Sequence, residues 1–398
     1  MGERLTEPHP WTGGGDAIGA IARDACGRSG MAAPLAHLLA SRRLVLCVGS
    51  GGVGKTTSVA ALGVWAACHG RRAAVLTIDP AHRLKDTLGI VRLDGEPHRV
   101  PLERLGVSTS GSLDAMLLDA KHTFDGLIRR YAPSEAAAER VLTNRIYQNI
   151  STALAGSQEY MAMERLHAIA SGGHYDLLVV DTPPTQHALD FLEAPERLSA
   201  LLSSRAAAIL QNPTLILSRQ GSKLAQAALA AMLRGLERFT GFELLRDVAE
   251  FVAGIEGFSG GFQSRAADVG RLLRQPETSF LLVTTAEAAR VAETLTFHTE
   301  LARAGLPFGG FIVNRVLPAA LVGEHLLDPE CESGRDLTLA RKLAAVHRRF
   351  AALMQAERVE IARLERAAPG APLVEIPLET EEPTSLAGLS RIAASIGG

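Results

Sequence analysis

Leu44-Val45-Leu46-Cys47-Val48-Gly49-Ser50-Gly51-Gly52-Val53-Gly54-Lys55-Thr56-Thr57 is the stretch that decides how this chain folds. Its five leading apolar residues fit a short buried strand, and the run from Thr57 to Cys68 fits a helix. Between them lies the spacing GxxxxGK[ST], from Gly49 to Thr56. Glycines there let the backbone wrap a triphosphate with its N–H groups turned inward. The helix N-terminus adds partial positive charge, Lys55 reaches the outer phosphates, and the Thr56 hydroxyl ligates Mg²⁺. A glycine-rich turn that binds nothing is the alternative. A strand before and a helix after the loop favour the phosphate-binding reading.

Outward from this stretch the chain alternates short apolar runs with longer helical ones. Ala73–Ile78, Leu177–Val180, Phe280–Thr284, Phe311–Val313 and Leu373–Ile376 read as further buried parallel strands. Ala286–Ala304 and Leu337–Ala367 read as helices between them. The alternation predicts an α/β fold, a doubly wound and mainly parallel sheet. Residues 86–175 and 190–278 are too long for single crossover helices and are rich in Ala and Leu at helical spacing. They predict a helical subdomain inserted at about residues 100–172 and 190–278 of a domain running from 41 to 398. Gly254, Gly257, Gly260 and Gly261 mark a break inside the second insertion. Residues 1–40 read as a mobile N-terminal extension, with Met31 as an alternative start. No basic segment followed by an apolar one marks a signal peptide there.

Two aspartates follow strands in the order a phosphoryl-transfer site needs. Asp79-Pro80-Ala81-His82 ends one strand, and a carboxylate at that position faces the ligand crevice of an open α/β sheet. Asp79 is placed there to orient the attacking water; a turn or helix-capping aspartate before proline is the competing reading. Asp181 ends Leu177-Leu178-Val179-Val180, as the Mg²⁺-side aspartate of phosphate-loop enzymes does. The following Thr182-Pro183-Pro184-Thr185-Gln186-His187 suits a γ-phosphate-sensing switch, with His187 a hydrogen-bonded loop residue rather than a base. Asn314 closes Phe311-Ile312-Val313. Its amide can donate and accept together against adenine N7 and N6, but on spacing alone a turn asparagine is the preferred reading.

Composition narrows the function classes. Lys+Arg 41 against Asp+Glu 43 gives a formal charge of −2 over 398 residues, so no global basic surface suits nucleic acid. Cys26, Cys47, Cys68 and Cys331 form no CxxC pair, which points to a reduced, cytoplasmic protein without a thiolate zinc site. No apolar stretch reaches the length of a membrane-crossing helix.

Taken together, Gly51-Gly52-Val53-Gly54-Lys55-Thr56-Thr57, Asp79-Pro80-Ala81-His82 and Asp181-Thr182-Pro183-Pro184-Thr185-Gln186-His187 resemble the ArsA-type ATPases. That family includes arsenite-pump ATPases and the targeting factor for tail-anchored membrane proteins. The resemblance covers about residues 43–390 and is that of a bacterial-like member. It implies ATP and Mg²⁺ as cofactors, Lys55 and Asp79 as catalytic residues, and Thr56 with Asp181 on the metal, the latter through water. It also implies nucleotide contacts from Gly51, Gly52, Val53, Gly54, Lys55, Thr56 and Thr57. Asn314 then stands on adenine, with Pro377-Leu378-Glu379 in the loop over the base.

Three departures qualify it. Ser50 stands where the family has a signature lysine that crosses a dimer interface to the partner's phosphates. The CxxC zinc motif is missing, and the scattered cysteines make no arsenite site. A cation reaching a γ-phosphate is worth about 10³–10⁵ in rate, so the chain is expected to be a slow ATPase alone unless Arg83 or Lys85 substitutes. A heterodimer with a related subunit that keeps the lysine is a second remedy.

The expected activity is Mg²⁺-dependent ATP hydrolysis in a homodimer or heterodimer, with nucleotide state switching a surface for a hydrophobic-helix client. Residues 224–262 are the Ala/Leu-rich candidate for that surface. The alternatives are an energising subunit for a membrane anion or arsenite pump and a positioning scaffold of the MinD/ParA kind. A ligase of the same phosphate-loop lineage is the remaining one.

Overall fold

In the computed structural model the described residues are 34–78, 83–105, 109–132, 134–144, 147, 158–182, 267–322, 336–379, 383 and 385–397. They divide into two compact units, one holding residues 1–117, 172–186 and 274–398 and the other 118–171 and 187–273.

The first unit is a sheet with helices. In chain order it contains α1 (Pro34–Ser41), β1 (Leu44–Val48), α2 (Lys55–Cys68), β2 (Arg72–Thr77) and α3 (Arg83–Leu88). Its remaining strands are β3 (His98–Arg99), β4 (Ser112–Leu117), β5 (Leu177–Asp181), β6 (Thr278–Thr285), β7 (Phe308–Val316) and β8 (Leu373–Pro377). The strand order is β3-β4-β2-β5-β1-β6-β7-β8, parallel except for β3 against β4. The chain leaves β1 toward one edge and returns from β5 across β1 to β6 on the other side. That reversal opens a crevice at the carboxyl end of β1, where open α/β sheets bind their ligands.

Alternation decides which residues face the helix after the loop. Val45 and Cys47 of β1, Leu177 and Val179 of β5, Leu281 and Val283 of β6, and Ile312 of β7 form one core with α2. That helix is hydrophobic almost all round, with Val59, Ala60, Ala61, Leu62, Val64, Ala66 and Ala67 fully buried, as a central helix must be.

The strands match their sequence expectations closely, except that β7 extends beyond Phe311–Val313 in both directions and two strands were not foreseen. Ser112–Leu117, inside the stretch expected to be helical from about residue 100, pairs with β2 instead. Asp114 in its centre is buried because Tyr175 Oη donates to it at 2.9 Å and Arg99 pairs with it at 2.8 Å. The second compact unit accordingly begins at 118. Nor is the whole of 1–40 an extension, since Leu35 and Leu39 of α1 are in the core.

In the second unit, the described helices are α4 (Ala120–Tyr131), α5 (Glu135–Leu142) and α6 (Gln158–Ser171). Asp119 and Ser134 cap α4 and α5 by accepting from backbone N–H groups of His122 and Ala137. Leu127, Ile128, Val141, Leu142, Tyr147 and Met161 pack together, and the Tyr147 hydroxyl donates to Asp125. Residues 190–266, including the client-surface candidate from 224 and the four glycines, lie outside the described residues.

The last elements return to the first unit: α7 (Ala288–Arg303), α8 (Asp336–Ala367) and α9 (Leu386–Gly397). Leu389, Ile392, Ala393 and Ile396 turn the apolar face of α9 onto the core beside α2.

Candidate functional site

The loop between β1 and α2 is shaped by close backbone packing. A side chain at Gly49 would place its Cβ 2.1 Å from the Val283 carbonyl oxygen of β6. At Gly54, the residue before α2, φ is +92° and a Cβ would lie 2.1 Å from the Asn314 amide nitrogen. Glycine is required at both places by space, and at Gly54 also by the left-handed backbone.

Three of the loop's carbonyls accept from side chains. Lys55 Nζ donates to the Ser50 carbonyl at 3.0 Å, Asn314 Nδ2 to the Val53 carbonyl at 2.9 Å, and Arg315 Nη1 to the Gly52 carbonyl at 3.1 Å. Arg315 sits at φ +61°, beside a register shift that follows Asn314 in the pairing of β7 with β8. A non-glycine residue held there is strained and needs its surroundings to keep it. Lys55 is only 9% exposed, because its chain folds back over its own loop.

On the β5 side, Thr56 Oγ1 donates to Asp181 Oδ2 at 2.6 Å and Thr77 Oγ1 to the same oxygen at 3.2 Å. Asp181 is buried, in register with Cys47 across the β1–β5 ladder. Burial, reinforced by the Asp181 charge, pushes the Cys47 thiol far above its ordinary range, so it is an inert packing residue. A hydroxyl and a carboxylate at hydrogen-bond distance, at the N-terminus of a helix, are the oxygen donors a hard divalent cation takes. A lysine folded over a glycine loop and this pair at the N-terminus of α2 fit MgATP. When bound, Mg²⁺ would supply charge neutralisation to the phosphates.

Ser50 does not face solvent either. It is 3% exposed and its hydroxyl donates to Glu293 of α7, which also pairs with Arg290 at 3.3 Å. That hydrogen bond, more than the arginine, holds the Glu293 carboxyl below its usual range. The residue in the place of the resemblance's signature lysine is therefore tied within its own chain.

The structure thus brings Gly51, Gly52, Val53, Gly54, Lys55, Thr56, Asp181 and Asn314 to one crevice. Thr57 follows in the first turn of α2, and Pro377 ends β8 as the register partner of Val316. Asp79-Pro80-Ala81-His82 and residues 183–187 lie outside the described residues. Of the two cations proposed to replace the lysine, Lys85 is on α3, and Arg83 begins that helix. Sequence reasoning missed Arg315 and Glu293, whose contacts span 263 and 243 residues of chain.

A family described as anion-transporting ATPase matches residues 42–393. The chain belongs to that family. Among curated proteins, the putative arsenical pump-driving ATPase of Chlorobaculum tepidum is 32% identical over 39% of this chain and 36% of its own length. The ATPase ASNA1 homolog of Entamoeba dispar is 34% identical over 42% of this chain and 51% of its own. The ATPase ARSA1 of Chlamydomonas reinhardtii is 26% identical over 75% of this chain and 38% of its own. The matches thus span between about a third and a half of these relatives. For this anion-transporting ATPase family member, the described residues hold no helix long and apolar enough to cross a membrane.

Proposed function

We propose that the chain binds MgATP in the loop at residues 49–56 and hydrolyses it, and that the nucleotide state switches a partner-binding surface. The observation that carries the reading is the Thr56–Asp181 pair at 2.6 Å beside a lysine folded over a glycine loop. Family membership supports hydrolysis as the reaction. Asp79 orients the attacking water in this reading, Lys55 and Arg315 stabilise the loop and its charge, and the reaction takes place in the cytoplasm. Asp79→Asn is expected to keep ATP affinity and slow turnover by about 10²–10⁴-fold, the range of a positioned proton acceptor. Unchanged turnover with weakened binding rejects that role.

The working unit proposed is a dimer of two such chains or of this chain with a related ATPase. With a serine at position 50, no trans cation comes from there and the homomeric enzyme is slow. Mass measurement with ATP, with ADP and without nucleotide tests the assembly: a dimer that forms with ATP supports it, and a permanent monomer sinks it. A hydrophobic-helix protein client is the preferred partner. The name of the Chlorobaculum relative favours one second reading, an energising subunit of an anion pump. Stimulation of turnover by arsenite separates the two.

A further inference from the structure

Asn314 and Arg315 are neighbours in β7, yet both side chains reach the same loop. In a regular strand, consecutive side chains leave opposite faces of the sheet. Ile312 belongs to the core against α2, and by that period Asn314 continues its face while Arg315 should turn away from it. Two deviations at one place undo the alternation. The pairing with β8 passes from Asn314 opposite Ile376 directly to Val316 opposite Pro377, so Arg315 is the extra residue of a bulge. Arg315 is also at φ +61°, the only non-glycine residue with a positive φ among the described residues. Its Nη1 donates to the Gly52 carbonyl at 3.1 Å, beside Asn314 Nδ2 on the Val53 carbonyl at 2.9 Å.

Glycine occupies such a backbone freely, whereas an arginine there is strained, and strain of this kind points to what the residue holds. Arg315 and Asn314 hold two consecutive peptide groups. In a trans peptide the C=O and the N–H point opposite ways. With the Gly52 and Val53 carbonyls drawn toward β7, the N–H groups of Val53 and Gly54 are turned to the far side of the loop. Neither N–H has a hydrogen-bond partner among the described residues. Adjacent unpaired N–H groups just before Lys55 and the first turn of α2 make a concavity suited to an anion.

We propose that Arg315 is a positioning residue for the polyphosphate: with Asn314 it clamps the peptides after Gly52 and Val53 and so fixes the N–H groups of Val53 and Gly54 as phosphate donors. The inference rests on the ATP-binding reading above and adds the residue that prearranges its loop. The clamp acts on the phosphates and not on the base. One N–H of the guanidinium meets one carbonyl, so a single ammonium donor at the same strained backbone can replace it, unlike a two-pronged arginine contact.

The test is equilibrium binding of MgADP and of magnesium pyrophosphate, which has no base, to the full chain and to Arg315→Lys, Arg315→Ala and Arg315→Gly. Arg315→Ala is expected to weaken both ligands by the same factor, on the order of 10-fold, the value of one hydrogen bond from a charged donor. Arg315→Lys, which keeps a donor and the left-handed backbone, should bind both ligands nearly as wild type does. Arg315→Gly should bind as weakly as Arg315→Ala although its backbone is relieved, a result that a merely structural role would not give. Far-UV circular dichroism equal to wild type shows that each variant is folded. Wild-type affinity in Arg315→Ala or in Arg315→Gly overturns this inference alone. So does a loss in Arg315→Ala confined to MgADP, or a loss in Arg315→Lys as large as that in Arg315→Ala. Failure of the wild type to bind either ligand overturns the ATP reading and this one with it.

Discussion

At the phosphate end of the crevice, Lys55, Thr56 and Asp181 come from one loop and the strand beside it; at the proposed base end, Val53 and Asn314 come from two elements far apart in the chain. The phosphate end works through charge and oriented N–H groups, which any nucleoside polyphosphate satisfies. In the proposed reading the base end works through the Asn314 amide, which only some bases satisfy. Affinity and selectivity are thus assigned to different elements, joined where the Val53 carbonyl takes the Asn314 amide. Glycine at position 54 is the condition for that joint.

The largest expected effect breaks the phosphate end. Lys55→Ala should lower ATP turnover by on the order of 10²–10³-fold or more, the loss typical of one preorganised charge-stabilising group. Circular dichroism should still show a folded α/β protein. Turnover of clean mutant protein equal to wild type would remove Lys55 from the chemistry.

A change at the joint should damage both ends. Gly54→Ala forces an L-residue to φ +92° and drives a Cβ into Asn314. The backbone alone should cost about 1–2 kcal/mol of stability, with nucleotide affinity falling too. Combining it with Asn314→Ala should recover affinity for the phosphates but not the preference for adenine. If the double variant is as selective as wild type, the joint is not where selectivity is set.

Smaller effects are expected beyond the joint. Arg315→Ala keeps the left-handed backbone at +61° and loses the contact to Gly52, whereas Arg315→Gly loses the contact and relieves the backbone. Chemical denaturation should rank Arg315→Gly above Arg315→Ala by about 1 kcal/mol. The reverse order would mean that the backbone there is unstrained.

The smallest concerns His298 of α7, stacked edge-on against Phe308 at the start of β7. Burial lowers its pKa from 6.5. The unfolded chain therefore binds that proton more readily, so the histidine's contribution is complete above pH 6.5 and is lost as pH falls below it. His298→Gln should flatten the stability profile just below that pH without changing nucleotide selectivity. An unchanged slope would assign it to other groups.

The phosphate end was legible because its residues are contiguous and their spacing has a mechanism. Strand, glycines, lysine and threonine follow one another in a single run, and Asp181 closes an apolar strand. The base end was legible only in part. Asn314 stood out, but its contact with Val53 spans 261 residues of chain. The fold shows the same division. β7 was read as three residues because Gly309 and Gly310 interrupt its apolar pattern, though both are within the strand. β4 was missed because an aspartate at its centre argues against a strand, until Tyr175 and Arg99 are brought to it by the tertiary fold. The cover over Ser50 was illegible for the same reason, since Glu293 lies 243 residues away in the chain.

The central claim, that one end of the crevice gives affinity and the other selectivity, is tested most directly by titrating MgADP and MgIDP into the Lys55→Ala protein. The account predicts that both affinities fall by the same factor, so that the ADP-to-IDP ratio stays at its wild-type value. A ratio that collapses toward one in Lys55→Ala would contradict it, since the lysine would then be shaping base recognition as well as holding phosphate.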